Sequence, residues 1–575
     1  MLWRLPVALA HGGGGCENDE IHGIDKPKDN PEYSLNYFVH PDYVDVIYSH
    51  IAFMVIAWVF VLPVAVMLSL ARSGYAIALH LAFMVTNALG LLLGIIYNAQ
   101  TPDLYPNNAH HKVGWIVTWV VSAQVLVSAV GWSTGRFQGT VSRTHGNCQG
   151  FIPVSTEAMD EYQCCTRGDH NSHERLSCSH RLWDDSGQVT DPNTESLRSN
   201  TVLTNDGVDD APICNRHQEA EDGDDDADLE AMALSPNSGK SIIAIQTANI
   251  DTSRIWRYLY IGYHVVDRII LPFGFIALAT GIATFSRFFE GNAIFGGLAH
   301  WIKGGTFFWL GLFTLGRWSG SFGELGWAWN VRPKRSLQTW CPSAEFVESA
   351  LIFFYGSTNI FLEHLSGWGG RWTTQDMEHI SITVLFIGGG LCGMLVESSR
   401  IRDLLNTTVD ADKSEHQYSD EEGEQLQPSP TCGFSLNPIP ALVILLLGII
   451  MSSHAQSSTT SSIVHKQWGS LLLGASLARG FTYVLMFLKP PNSVVPCRPP
   501  TELLASFGLI AGGIIFMASA DDIVQGMIHY ELDAMFMYTV TMGLVGFLTA
   551  WEVIVLAIKG WAVRRERQAV SQQAL

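Results

Sequence analysis

The sequence predicts an all-α, polytopic integral membrane protein with about eleven transmembrane helices, a number set by counting apolar runs long enough to cross a bilayer. Three observations carry that prediction. The chain has 575 residues, of which 47% are hydrophobic and only 15% charged. Apolar runs recur along it, and a helix of about twenty residues covers the ~30 Å hydrocarbon thickness at ~1.5 Å per residue. The formal net charge of −20 is concentrated in polar stretches such as "EAEDGDDDADLE". That balance argues against nucleic-acid binding and says little about the spans. The ten cysteines include no CxxC pair, and Cys164 and Cys165 are adjacent in polar text, so neither a zinc framework nor a disulfide-dense fold is expected.

Residues 1–45 read as a flexible lead-in that opens with a weak secretory signal, "MLWRLPVALAHGGGG", in which Arg4 precedes a short oily run and small residues. Spans follow near 46–70, 74–98 and 111–131. After them comes a long stretch, 137–253, rich in Asp, Asn, Ser and Gly; it lacks the apolar surface that would order it. The remaining spans are expected near 256–285, 292–316, 343–363, 379–396, 435–452, 464–487, 503–520 and 532–558, with 379–396, 435–452 and 503–520 the shortest. A second soft loop occupies 400–431, and 561–575 form a tail. Basic residues beside the spans set the orientation. Arg72, Arg136, Arg254, Arg257, the "VRPKR" run, Arg400, Arg402 and the "KGWAVRRER" tail fall on one side and outnumber Lys112, Arg287, Arg371 and Lys466 on the other. The N-terminus is therefore expected outside or in a lumen and the C-terminus in the cytosol, in the plasma membrane or an endomembrane, and the sequon at Asn406 would be cytosolic and unused.

Histidines stand near the starts of the first four spans: His50, His80, His110 with His111, and His264. Because successive helices run in opposite directions, His50 and His110 (or His111) share an outer layer, and His80 and His264 an inner one. Two facing imidazoles can hold a haem iron from both faces inside a helix bundle, so two b-type haems are one expectation. A metal-bound imidazole is neutral and tolerates an apolar site. Its other ring N–H needs an acceptor, for which Tyr48, Asn87, Tyr263 and backbone carbonyls are at hand. Gly90, Gly94, Gly114 and Gly274 would admit bulky macrocycles, and Arg72, Lys112, Arg257 or Arg268 could pair with haem propionates. The plainer alternative is four interfacial histidines satisfied by water.

Residues 48–131 resemble the transmembrane cytochrome b561 family. The text carrying the likeness is "SHIAFMVIAWVFVLPVAVMLSLAR", "ALHLAFMVTNALGLLLG" and "HHKVGWIVTWVVSAQVLVSAVG", with "YHVVDRIILPFGFIALATGI" as the fourth core helix. His50, Met54, Trp58, Pro63 and Arg72 match the first family helix, and the spacing of His110, Gly114 and Gln124 favours His110 over His111. Asp267 departs from the pattern, standing where the family more often has glycine. The whole chain is more similar still to fungal Ytp1-like membrane proteins. That resemblance implies a b561-like core over 46–285, interrupted by the loop 137–253, and a Ytp1-like C-terminal transmembrane domain over 286–560. It also implies electron transfer through two b-type haems from a cytosolic reductant, ascorbate in b561 relatives, to an outer or lumenal acceptor. Any catalysis would then be that of a transmembrane oxidoreductase of the ferric or monodehydroascorbate reductase kind.

The expected C-terminal domain keeps polar residues at helix ends. Glu363, His364, Glu378 and His379 flank one short loop and, with His465, could converge on a metal ion, a substrate pocket or a proton path. His300, His454, Asp376, Asp521, Asp522 and His529 lie on the same expected side, and ordinary interfacial polarity is the alternative for all of them. Arg479 lies deep in a span and needs a partner or a cavity, with Glu348 and Glu552 as candidates. HExxH and P-loop motifs are absent from the sequence, so zinc-hydrolase and nucleotide chemistry lack support. Against the electron-transfer reading stands a haem-free membrane transporter or scaffold with a metal- or proton-binding polar cluster in its C-terminal half.

Overall fold

Long uninterrupted apolar segments satisfy their backbone polar groups internally as helix, which is the conformation lipid demands of a single span. The computed structural model describes residues 36–133, 238–291, 293–329, 342–363, 372–405, 407, 435–453, 456, 458–491 and 496–573. All regular elements among them are helical. Residues 1–160 and 258–575 form one unit and residues 161–257 a second, whose described part is helical.

In chain order the helices are α1 (Val44–Leu70), α2 (Tyr75–Gln100), α3 (Ala109–Ser133), α4 (Ser238–Ser286), α5 (Ala293–Ser319), α6 (Ala344–Glu363), α7 (Thr374–Glu397), α8 (Ile439–Ser453), α9 (Thr459–Leu488), α10 (Pro500–Ala518), α11 (Asp521–His529) and α12 (Ala534–Gln573). Residues Ile56–Val61 of α1 form a π-helical turn just before Pro63, which cannot donate to the ladder. Arg72 takes φ 56° in the tight turn into α2. Thr373 caps α7, its hydroxyl accepting from Asp376 N while Asp376 accepts from Thr373 N.

Among the described residues, eight helices are long and apolar enough to cross a membrane: α1, α2, α3, Ile255–Ser286 of α4, Asp376–Glu397 of α7, α9, α10 and Ala534–Ala569 of α12. Two of the three shortest expected spans, 379–396 and 503–520, are thus long enough. The third, α8, has only 15 residues. The expectation near 292–316 meets α5, which carries His300, Lys303 and Arg317, and the one near 343–363 meets α6, which carries Glu345 and Glu348. Those charges lower the hydropathy of helices that nonetheless pack into the same unit. The protein is an all-α, polytopic, integral membrane protein.

The front helices share one apolar core built from Ala57, Trp58, Leu62, Val66, Phe83, Val117, Val121 and Ile270. In the back half a larger core surrounds Trp468, which is fully buried and stacks on Phe516 at 4.1 Å between ring centroids. Glycine decides how closely α5 and α10 approach. A Cβ on Gly304 would lie 2.5 Å from Gly513 O, and one on Gly513 would lie 2.5 Å from Gly304 O. Small residues at such a crossing let two backbones meet, which is how helices associate where lipid removes the hydrophobic driving force.

Candidate functional site

The charged groups of the back half converge where α5, α6, α9 and α10 meet. Glu345 and Glu348 lie one turn apart on α6, and so face the same way. Arg317 of α5 donates to Glu345 at 2.8 Å and to Glu348 at 3.2 Å. Arg479 of α9 donates to the other oxygen of Glu348 at 3.1 Å and approaches Glu502 of α10 at 2.9 Å. The result is an alternating chain, Glu345–Arg317–Glu348–Arg479–Glu502, with an acid at each end and at the centre. All five side chains are at most 8% exposed, and Glu502 is fully buried. Thr314 accepts from Arg479 at 3.1 Å, and the Trp327 carbonyl accepts from Arg317 Nε at 2.9 Å. The Trp329 ring lies 4.5 Å from the Arg317 guanidinium carbon and 5.7 Å from that of Arg479, so both cations also gain a π face.

A cavity of about 1160 Å³ rests on this network. Glu348, Arg479 and Ser476 form its polar floor; Trp309, Leu351, Tyr355, Phe386, Ile444 and Leu509 are among its apolar walls, and Lys303 lines its far part. The residues of α5 that line the cavity run from Ile294 to Phe313, about 28 Å at ~1.5 Å rise per residue, so the cavity follows most of that helix. Ser476 is 5% exposed and its hydroxyl has no hydrogen-bond partner, which leaves a buried donor and acceptor at the cavity floor.

At the other end of α5, the His300 and His465 rings meet edge to face at 6.2 Å. Lys303 lies one turn further along α5, and His379 of α7 stands near the same pair. His465 is 4% exposed, and its Nδ1 lies 2.9 Å from the Ser461 carbonyl of its own helix. Glu378 is exposed at the start of α7. His364, His454 and the Glu363 side chain lie outside the described residues. Sequence reasoning found Arg479 and Glu348 but missed Arg317, Glu345 and Glu502. It also offered Glu552, which instead lines a second cavity, of about 2130 Å³, that also touches the front helices.

In the front half, the structure brings His50 and His110 together, with ring centroids 6.4 Å apart and an interplanar angle of 79°. His50 Nδ1 lies 2.7 Å from Gly90 O, and His110 Nδ1 lies 3.1 Å from Ala277 O. Of the inner couple, His80 is 1% exposed with Nδ1 2.8 Å from its own helix's Ala76 O, whereas half-buried His264 packs at 4.3 Å on Tyr260 of its own helix. His111 and Lys112 are exposed at the start of α3, and Arg72 is exposed in its turn.

The expected haem sites are corrected by two observations. Among the described residues, no group of three or more His, Cys, Asp or Glu side chains could hold a metal ion. Three of the four glycine clefts meant for macrocycles are also filled by the protein itself: Met54 packs 3.1 Å from the Cβ position of Gly90, His50 2.8 Å from that of Gly94, and Trp58 2.6 Å from that of Gly274, while Gly114 has nothing within 4 Å. The two b-type haems, their iron, the electron transfer, the ascorbate-type donor and the oxidoreductase assignment go together with those sites. Asp267, out of pattern for b561, has a local use: it is 2% exposed and accepts from Ser69 and Gln124.

The C-terminal part of the YTP1-like protein family matches residues 273–560, about half of the chain. The chain belongs to the YTP1-like family. A domain of unknown function (DUF2427) matches residues 32–133 of this YTP1-like protein, and nothing in the match distinguishes a b561-like subdomain there. An uncharacterized membrane protein of Schizosaccharomyces pombe is 32% identical over 532 residues, covering 90% of this chain and 94% of its own length. An uncharacterized membrane protein of Saccharomyces cerevisiae is 38% identical over 369 residues, 61% of this chain and 57% of its own. The S. cerevisiae protein YTP1 is 24% identical over 188 residues, a third of each chain. No solved structure matches this YTP1-like chain. The ion-pair network falls within 273–560, and so does most of the lining of the cavity above it, to which Tyr105–Ala109 and Pro272 add.

Proposed function

We propose that this YTP1-like protein is a haem-free membrane transporter, and that the cavity along α5 is its substrate path. One observation carries the reading: a large, mainly apolar cavity ends on a buried network of paired charges and an unpartnered hydroxyl. A helix bundle that only scaffolds has little use for five ionisable groups in its interior, because replacing buried pairs by apolar residues is commonly neutral or stabilising. Ionisable groups inside a membrane protein face cavities or one another and mark routes for ions and solutes. Titratable groups stand at both ends of this cavity's helix, with His300, Lys303, His379 and His465 at one end and the alternating chain at the other. Those histidines are read as part of the path rather than as a metal centre.

We infer with it that α5, α6 and α8 also cross the membrane, which restores eleven spans. Their charges are buried against partners in the bundle, so their low hydropathy does not measure what they show to lipid. The bias of basic residues in the short loops then supports an outer or lumenal N-terminus and a cytosolic C-terminus.

The test is accessibility. In a background with the native cysteines replaced, Ser476→Cys should react with a membrane-impermeant, thiol-specific reagent added from one side, and Leu351→Trp should slow that reaction by filling the cavity. A cysteine at 476 that never reacts in intact membranes from either side, in protein that labels fully once unfolded, would reduce the cavity to a lipid-filled seam and favour a scaffold.

A further inference from the structure

Among the described residues the alternating chain contains three carboxylates and two guanidiniums, so with every group ionised it keeps one negative charge without a counter-charge among them. It lies where water is scarce, and an unbalanced buried carboxylate is costly enough that such a group takes up a proton instead. The three acids are not equivalent. Glu348 contacts both arginines, and Glu345 accepts from Arg317 at 2.8 Å. Among the described residues Glu502 has a direct ion contact with Arg479 alone. Although Arg479 Nε lies 2.9 Å from Glu502 Oε2, the two are not aligned for a hydrogen bond, and neither Glu502 oxygen has a hydrogen-bond partner. It is also the most buried of the three. The charged groups around it are Arg479 from α9, Arg317 from α5 and Glu348 from α6, and Tyr483 of α9 faces the same network.

We propose that Glu502 is a proton-binding site, and that the network it terminates holds one exchangeable proton. The chemistry is the formation and breakage of a single O–H bond: water supplies the proton to the carboxylate and receives it back. Proton binding itself does not depend on the transporter reading. The link to that reading is that Arg479, which faces Glu502, also lines the cavity floor, so loss of the proton leaves Arg479 facing two full carboxylates and changes the field a solute meets there. The coupling ion of the transport path would then be a proton.

Infrared difference spectroscopy of the purified full-length protein between acid and alkaline pH reads this without knowledge of the substrate. The expected result is a protonated-carboxyl C=O band that disappears as pH rises and moves when glutamate is carbon-13 labelled, so that it belongs to Glu and not Asp. Glu502→Gln should remove about one carboxyl's worth of that band, whereas Glu345→Gln, which leaves two acids with two bases, should keep the carboxyl but lower the pH at which it loses its proton. Glu502→Asp, which keeps an acid, should move the band into the unlabelled, aspartate set. No titrating glutamate band in the unmodified protein, or a band untouched by Glu502→Gln, would overturn the proposal. The cysteine accessibility test above can fail while this band is present, and the reverse, so the two readings are judged separately.

Discussion

Replacing Arg479 by methionine offers a sharp perturbation of the network. Methionine keeps much of the side chain's volume and removes its charge. In the native protein Arg479 serves Glu348, Glu502 and Thr314. Without it, Glu348 retains Arg317, Thr314 loses a donor and Glu502 loses its ion partner. Removing one member of a buried ion pair costs about 3–5 kcal/mol because a charge is left uncompensated, and the orphaned Thr314 adds about 1 kcal/mol. A protonated Glu502 lowers the first figure, since a neutral acid needs no counter-charge; that places the expected loss near 3 kcal/mol, at the low end of the buried-pair range. Glu502→Gln imitates the protonated acid and should cost under about 1 kcal/mol. The double variant should then recover little, because the acid it removes carries no charge in the single variant. Equilibrium unfolding in mixed detergent micelles, run on both single variants and the double, gives the coupling directly. An Arg479→Met loss below 1 kcal/mol would refute the burial of the network. A double variant that regains 2 kcal/mol or more would refute a neutral Glu502.

Other expectations are as direct. Gly304→Val should prevent α5 and α10 from meeting, since its Cβ would lie 2.5 Å from Gly513 O; the loss exceeds the ~1–3 kcal/mol of ordinary overpacking and should appear as loss of a monodisperse peak on size-exclusion chromatography. Trp58→Ala removes a buried ring that packs on Phe83 and donates to Asn87 at 3.0 Å, and should cost about 3–5 kcal/mol in the same unfolding assay, whereas Trp58→Phe should cost less. The protein purified from cells supplied with haem should show no b-type reduced-minus-oxidised spectrum; such a spectrum, abolished by His50→Ala, would restore the electron-transfer reading. Asn406 should carry no glycan, and its glycosylation would invert the proposed orientation.

The sequence makes the helical class legible because lipid leaves a single span little else to do, and apolar runs of sufficient length announce themselves one by one. It made Arg479 legible for a related reason: a guanidinium deep in an apolar run is conspicuous in one dimension. Glu502 was not conspicuous, because it follows Pro499 and Pro500 at a helix start and reads as an ordinary first-turn acid. Only the crossing of α9 with α10 brings it to Arg479. The layers of histidines failed in the opposite way. Helix direction placed His50 and His110 at one depth correctly, and their rings do meet. Depth says nothing about what fills the space around a pair, and here indole, thioether and imidazole occupy three of the four glycine clefts.

On the proposed transporter reading, the network belongs to function rather than to mere stability. Four helices could be joined more cheaply by apolar packing, and α5 and α10 already are joined so at Gly304 and Gly513. Charges add something packing cannot: an interaction that changes by a whole unit when a proton comes or goes. With an odd number of members, the chain from Glu345 to Glu502 cannot be neutral with all its groups ionised. Its neutral state requires a proton, and its charged state tightens the demand on both arginines. An even set, two acids with two bases, would have been the arrangement for holding helices together at every pH. The extra acid at the α10 end makes the bundle's polar centre responsive, and the cavity floor is where that response is felt.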